Sequence, residues 1–352
     1  MNSNFLITLN NEHPEGYENS FYELRDGQGE FVIDSVVLIQ YDGEQMFYPV
    51  KEKRYFEISE LKEADNNKPL KLNTLTNKQD YIKRVNELKQ HIHVGGIYEI
   101  NFCVEFEVKD VDIDPTSVFL KLNQLAKAPY AALAKLADTY IISASPELFL
   151  KRTGEILITK PIKGTAKRSA DAQEDENLKQ QLHLSLKERT ENVMIVDVSR
   201  NDLSILAQRA TVTVPKLYNI ETYQTVHQMV STVQCKLKPE QTFENIIAAT
   251  FPMPSMTGAP KIRAMQLIEE FEQFKRKEYS GTLGYINKNG DFILSVLIRT
   301  IIYNAKTKRL SFAVGSAITH LCDPEKEYEE CLLKAKALLK AINGVIPNTN
   351  IF

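Results

Sequence analysis

The sequence predicts an α+β protein, and three observations carry that prediction. Residues 138–165 read as strand, turn, strand, turn, strand. Residues 279–318 hold three apolar runs joined by Asn289-Gly290 and by the turn "NAKTK", as in an antiparallel meander. Between them, residues 171–206 ("DAQEDENLKQQLHLSLKERTENVMIVDVSRNDLSIL") are mostly helical in character, so strands and helices come in separate runs.

Taken in order, residues 1–58 are β-rich, with two apolar runs around Asp42-Gly43, a hairpin signal. Residues 64–78 are polar and turn-prone and make the best candidate linker. Tyr81, Val85, Leu88 and Ile92 recur at helical spacing over 78–95, and Gly95-Gly96 end that helix. "IYEINFCVEFEV" (97–108) alternates like a strand. Residues 116–137 carry an Ala/Leu face and read as a helix interrupted near Pro129. Residues 245–277 read as two helices around a Pro/Gly loop. The last helix opens with Asp323 as N-cap and Pro324 at its first position. Its apolar stripe is Tyr328, Cys331, Leu332, Ala335, Leu338, Leu339 and Ile342, and Asn343-Gly344 stop it.

At 352 residues and 43% hydrophobic content, the chain can bury a sizeable core. The net charge of −3 gives no basic excess for nucleic acid. The N-terminus lacks the pattern of a signal peptide, and no run approaches the ~18 apolar residues of a membrane helix. Cys103, Cys235, Cys322 and Cys331 are scattered and suggest neither zinc nor disulfides. A soluble, cytoplasmic protein without nucleic-acid or membrane partners is the expectation.

The chemistry-bearing residues start with two glutamate pairs. Glu188 and Glu191, and Glu327 and Glu330, stand at spacing i, i+3, which puts each pair on one helix face. Either pair alone is an ordinary solvated face. Two pairs facing one cavity would suit Mg²⁺, which takes one or two carboxylates and completes its shell with water and an anionic substrate. The segment 255–271 is a loop of small residues entering a helix, a place that favours anions. Arg299 interrupts a β run and is able to hold a carboxylate bidentately. His227 in "TVHQMVS" fits a structural role better than a catalytic one. Lys163 ends the strand-like run "ILITKPIKGTAKR" (156–168), where a lysine with its head in water is the plain expectation. Singly, these signals support an enzyme that binds an anion, with Mg²⁺ as the candidate ion.

Together the motifs are more specific. "SPELF", "PIKGT", "ERTENVMIVDVSRND", "VHQMVST", "SMTGAPKIRAMQLIEEFE", "SGTLGY", "LIRT" and "EYEECLLKAKAL" stand in the order seen in the chorismate-utilising enzymes, which the chain resembles from about Asn77 to Asn343. Within that family the lysine of "PIKGT" resembles the aminodeoxychorismate synthases, component I; anthranilate synthases typically carry alanine there. The resemblance implies two large antiparallel sheets packed together with helices outside. It implies a catalytic region over 77–346, with the β-rich 1–76 belonging to the same intertwined unit.

It also implies roles. Lys163 matches the nucleophile, Glu147 the acid that assists loss of the 4-hydroxyl, and His227 a residue near the ring. Glu191 and Glu330 match Mg²⁺ ligands, with Glu188 and Glu327 their neighbours near the metal. Gly164, Thr165, Thr257, Tyr285, Arg299 and the backbone of Gly315, Ser316 and Ala317 match substrate-contacting positions. The implied reaction joins ammonia to C4 of chorismate on the route to 4-aminobenzoate and folate. The ammonia comes from a separate glutamine amidotransferase subunit, since no such segment is recognisable in the chain. Two departures stand out: Ala317 where relatives usually have glycine, and Met253-Pro254 where glycines are common. Other readings stay open. One is a relative that makes anthranilate or isochorismate, against which Lys163 speaks. Another is a non-catalytic chorismate-binding subunit, against which Glu147, Lys163, Glu191 and Glu330 speak. If Lys163 is the nucleophile, burial is expected to lower its pKa toward neutrality, with the pocket glutamates opposing that shift.

Overall fold

Alternation along the strands decides the layers of this molecule. The computed structural model describes residues 3–11, 16–64 and 68–347. In strand Asn4–Leu9, Phe5, Ile7 and Leu9 join one core and Leu6 joins another. In strand Tyr130–Leu136, Ala131 and Leu133 face the first core, while Tyr130, Ala132, Ala134 and Leu136 face the second. Successive side chains on a strand point to opposite faces, so each sheet separates two cores.

One sheet is built from Asn4–Leu9, Ser20–Leu24, Tyr130–Leu136, Thr139–Ser145, Thr300–Asn304, Arg309–Thr319 and Glu99–Val108. The other holds Ser35–Ile39, Thr282–Ile286, Phe292–Val296, Leu148–Thr153, Ile156–Lys160, Val226–Lys236, Ile162–Lys167 and Thr213–Thr222. All these pairings are antiparallel. The long strand Gln45–Tyr55 pairs with Ser20–Leu24 in the first sheet and with Ser35–Ile39 in the second, and so joins the two. Leu6, Tyr22, Tyr130 and Ile141 from one sheet meet Val36, Leu38, Leu148 and Leu283 from the other in a shared core.

The described helices are α1 (Lys78–His93), α2 (Pro115–Ala126), α3 (Ala172–Leu184), α4 (Leu186–Leu206), α5 (Phe243–Thr250), α6 (Lys261–Phe271) and α7 (Pro324–Ala341). Apolar faces of α1, α2, α6 and α7 cover the outer face of the first sheet. Those of α4 and α5 pack on the second. This is the α+β architecture with two large antiparallel sheets and outer helices. Among the described residues no helix is long and apolar enough to cross a membrane.

Three expectations need correction. The helix expected over 116–137 ends at Ala126, where Lys127 takes the left-handed conformation, and Tyr130–Leu136 is a strand between two others. Its alanines favour helix intrinsically, but buried on both faces of a central strand they let the layers approach closely; tertiary packing overrides propensity. The run 279–318 is not one meander. Its first two strands lie in the second sheet and its last two in the first, and the chain changes sheets at 297–299, where Arg299 has φ +53°. The segment 64–78, expected as a linker, is woven into the fold where it is described: Leu70–Lys71 pairs with Gly344–Val345 and Asn73–Thr74 with the Glu99–Val108 strand. Residues 65–67 lie outside the described residues.

Candidate active site

A cavity of about 520 Å³ opens between the second sheet, the first sheet's strand Arg309–Thr319, and helices α4 and α7. Lys163, Glu147, Gly164, Thr165, Arg299, Gly315, Ala317 and all four glutamates of the two pairs line it. Residues drawn from 147 to 330 are thus gathered at one place.

Lys163 reaches the cavity because its strand is irregular. The pairing of Ile162–Lys167 with Val226–Lys236 shifts register between Ile162 and Thr165, and Gly164 has φ +85°. A β-carbon on Gly164 would lie 2.8 Å from Glu188 Oε2 and 3.0 Å from its Cγ. Glycine therefore permits both the left-handed backbone and the close approach of α4. Lys163 is only 8% exposed. Its Nζ donates to Glu99 Oε1, and Glu99 is 1% exposed. Burial alone would lower the pKa of this lysine, as expected from sequence. Glu99, Glu191 and Glu147 outweigh it, and the net shift is upward. Lys163 in this form is a firmly held ammonium.

Glu147 sits in the turn after strand Thr139–Ser145 and is buried. Its backbone is pinned on both sides: its N–H donates to Ser145 Oγ (3.3 Å), and its carbonyl accepts from Val296 N (3.0 Å). Burial pushes its carboxyl up to about 7, against the Ser255 hydroxyl, the Lys163 charge and the Ile162 peptide, which lower it. A carboxyl in that range is able to donate a proton near neutral pH.

The four glutamates come from the first two turns of α4 and α7, Glu188 and Glu327 from the first and Glu191 and Glu330 from the second. Ser185 caps α4, and Asp323 caps α7, accepting from Glu325 N at 2.9 Å. Glu191 is pushed up to about 7 by burial. Burial also raises Glu188 and Glu327, whereas Lys334, 2.7 Å from Glu330, overcomes burial there and lowers it. Lys187 Nζ lies 3.3 Å from Glu327 Oε1 and 4.0 Å from Glu191 Oε1. Glu191 Oε1 and Glu327 Oε2 are buried with no hydrogen-bond partner among the described residues. Among the described residues no three such groups are gathered tightly enough to hold an ion by themselves. Hard carboxylate oxygens without partners, on two facing helices, nonetheless fit a cation that keeps waters and shares its shell with an anionic ligand, as Mg²⁺ does.

Four residues expected from sequence at the site do not line the cavity. His227 points to the opposite face of its strand from Val226 and Gln228, which do line it. Its Nε2 lies 3.1 Å from Asp175 Oδ1 and its Nδ1 3.0 Å from Thr222 Oγ1, so it ties α3 to the sheet. Tyr285 donates to Asp34 Oδ1 at 2.6 Å and packs on Tyr22, 4.9 Å between ring centres. Tyr279 of the same segment lines the cavity in its place. Thr257 is fully buried, its hydroxyl directed at Met253 O (3.2 Å), and Ser255 and Met256 supply that segment's lining. Ser316 turns its hydroxyl to that of Tyr81 (2.8 Å) between lining residues Gly315 and Ala317. The start of α6, expected as an anion site, is also absent from the lining; Lys261 there pairs with Asp202 at 2.6 Å.

Sequence reasoning missed Glu99, Asn101, Gln228, Tyr279, Lys187 and Lys334. Glu99 and Asn101 carry a readable signal: they are polar residues on one face of a strand whose other face, Ile100, Phe102 and Val104, is apolar core. Behind them the buried Arg276 donates to Asn101 O (2.9 Å), Met256 O (2.6 Å) and Glu272.

Comparison with known proteins identifies the family. The family model for chorismate binding enzymes matches residues 27–340. The chain is 40% identical over 269 residues to "Aminodeoxychorismate synthase, chloroplastic" of Arabidopsis thaliana, covering 75% of this chain and 29% of that protein. It is 35% identical over 265 residues to aminodeoxychorismate synthase component 1 of Escherichia coli (strain K12), covering 75% of this chain and 58% of that protein. It is 36% identical over 269 residues to anthranilate synthase component 1 of Acetivibrio thermocellus, covering 75% and 53%. The matched region thus spans about a third to somewhat over half of the length of these relatives. Among solved structures, a putative 2,3-dihydroxybenzoate-specific isochorismate synthase from Bacillus anthracis superposes with a TM-score of 0.81 at 21% identity, covering 97% of each chain. That likeness speaks for the fold, while the family match extends over most of the sequence: the chain belongs to the chorismate binding enzymes.

Proposed function

We propose that this chain aminates chorismate at C4 to give 4-amino-4-deoxychorismate, with ammonia as the nitrogen donor and Lys163 as a covalent nucleophile. The observation that carries the reading is the convergence of Lys163, Glu147 and the carboxylates of α4 and α7 on one cavity. Chorismate has a poor leaving group at C4. Attack of the Lys163 amine at C2, with Glu147 protonating the departing hydroxyl, followed by ammonia adding at C4 and expelling the lysine, replaces one difficult step by two easier ones. Arg299 suits a substrate carboxylate. It is held in place by a 3.3 Å bond from Nη1 to Lys334 O, and burial lowers its pKa.

Glu191 and Glu330 would hold Mg²⁺, with Glu188 and Glu327 beside them. The ion, when bound, fixes the ring carboxylate and stabilises charge. Ala317 presents a methyl group at the cavity wall, so the substrate's contacts there are tighter than glycine would allow. Ammonia reaches this chain from a separate glutaminase subunit.

Product analysis with chorismate, Mg²⁺ and an ammonium salt tests the reading. The expected product is aminodeoxychorismate, formed with ammonium but not with glutamine. Release of glutamate from glutamine by the purified chain would contradict the separate source of ammonia; anthranilate as the product would overturn the assignment.

The pH dependence has a definite sign. Glu147 is raised to about 7, so it is a protonated acid below that pH and a carboxylate above it. At constant free ammonia, kcat/KM for chorismate should therefore fall above about pH 7, by up to ~10-fold per pH unit. Glu147→Gln should remove that limb along with most of the rate.

The two tyrosines separate cavity from scaffold. Tyr285→Phe should cost only the ~1 kcal/mol of a lost hydrogen bond in thermal unfolding and leave the KM for chorismate unchanged. Tyr279→Ala should raise that KM. The reverse pattern would mean that Tyr285 reaches the substrate.

A further inference from the structure

The proposed reaction begins from a lysine that the resting protein holds in its unreactive form. An amine attacks carbon only when uncharged, yet Lys163 Nζ is bonded to a buried carboxylate and its net pKa shift is upward. The proton has to leave for a partner within the closed site. Glu99 is in contact with Nζ through Oε1, and its Oε2 is buried without a hydrogen-bond partner among the described residues. A carboxylate in hydrogen-bond contact with an amine is placed to take its proton. Of the other carboxylates acting on Lys163, Glu191 belongs to α4 among the acidic pairs, and Glu147 is the acid for the leaving hydroxyl. Neither has a direct bond to Nζ among those described. Glu99 lies behind the lysine and does not line the cavity, so it acts on the substrate only through Lys163.

We propose that Glu99 is the proton acceptor of Lys163: its carboxylate holds the resting ammonium and takes the proton when the amine attacks. This rests on the reading of Lys163 as nucleophile. The proton moves from Nζ to Glu99, leaving a neutral amine and a neutral acid. The amine forms a bond to C2 while the C4–O bond breaks, and the hydroxyl leaves as water with the proton of Glu147. Ammonia then bonds to C4 and the N–C2 bond breaks, returning the neutral amine. The extra proton of the new C4 ammonium goes to the Glu147 carboxylate, and Glu99 returns its proton to Nζ. Chorismate and ammonia have become product and water, and every group is back in its starting form. Glu99 is a positioning and proton-holding residue here; it touches no reacting carbon.

The test is single-turnover adduct formation on the Lys163 peptide, followed by mass spectrometry with chorismate and Mg²⁺ and no ammonium, across pH 6–10. In wild type the proton passes within the pair, so the lysine adds no rising limb of its own. In Glu99→Gln the proton must go to bulk water, so the rate depends on pH through the lysine. The ratio of the Glu99→Gln rate to the wild-type rate cancels the Glu147 limb that both share. That ratio should be at least ~10-fold below unity near neutral pH and should climb by up to ~10-fold per pH unit, with chorismate affinity unchanged. Glu99→Asp, which keeps a carboxylate, should restore a flat ratio; it also serves if the glutamine variant does not fold.

A pH-independent ratio for Glu99→Gln overturns the proposal, as does a Glu99→Asp variant that behaves like Glu99→Gln, or loss of chorismate binding together with the adduct. Amination by wild type alongside a flat ratio removes only the role of Glu99. A wild-type protein that forms neither adduct nor product removes the proposed function, and this role with it.

Discussion

Lys163→Ala should lose aminodeoxychorismate formation by ~10³-fold or more, a loss on the scale seen when a nucleophile is removed and its binding neighbours stay. Chorismate should still bind, because Arg299, the backbone at 315–317 and the carboxylates of α4 and α7 are untouched. A lysine at a strand end in water would give unchanged rates, since exposed substitutions alter little. The structure adds a second expectation. Removing the lysine leaves Glu99 buried without its cation, and breaking a buried pair on one side costs about 3–5 kcal/mol. The single variant should therefore melt below wild type, and adding Glu99→Gln should recover much of that loss. Melting curves of the single and double variants check it. Unchanged steady-state rates in Lys163→Ala, with ammonium as donor, would defeat the nucleophile assignment.

Glu191→Gln and Glu330→Gln are each expected to lower turnover by ~10²-fold or more, since each removes a negative oxygen from a site that would hold a hard cation. Calorimetric titration with Mg²⁺, in the absence of substrate, should show weaker binding in both variants. The fold should tolerate both changes. The Glu191 carboxyl is already pushed up to about 7 by burial, so a neutral amide costs little there. Glu330 is half-buried and leaves Lys334 free to keep its bond to Gly315 O (2.8 Å). Full activity in excess EDTA, with no divalent ion restored, would rule out a metal in the mechanism.

The sequence by itself determined the fold class and the family, because both are written in local patterns: helix caps such as Asp323-Pro324, period-2 strands and a set of motifs in fixed order. It also pointed to residues that the fold brings to one cavity, among them Lys163, Glu147 and the glutamate pairs. Their i, i+3 spacing sets a common helix face without help from the rest of the chain.

Tertiary structure decided what local pattern cannot reach. Which face of a strand meets the cavity depends on register and on which layer lies above it. His227 therefore turns away while Val226 and Gln228 face in, and Asn101 reaches the cavity from a strand whose other face is core. Tyr285 and Tyr279 could not be ranked from sequence, because the sheet change near Arg299 is a long-range event. The direction of the Lys163 shift was set the same way. Burial pulls the pKa down, but a carboxylate 64 positions earlier in the chain lies against the ammonium and, with Glu191 and Glu147, reverses the sign. Coulombic attraction in a poorly screened interior depends on distance in space, and only the fold supplies that distance.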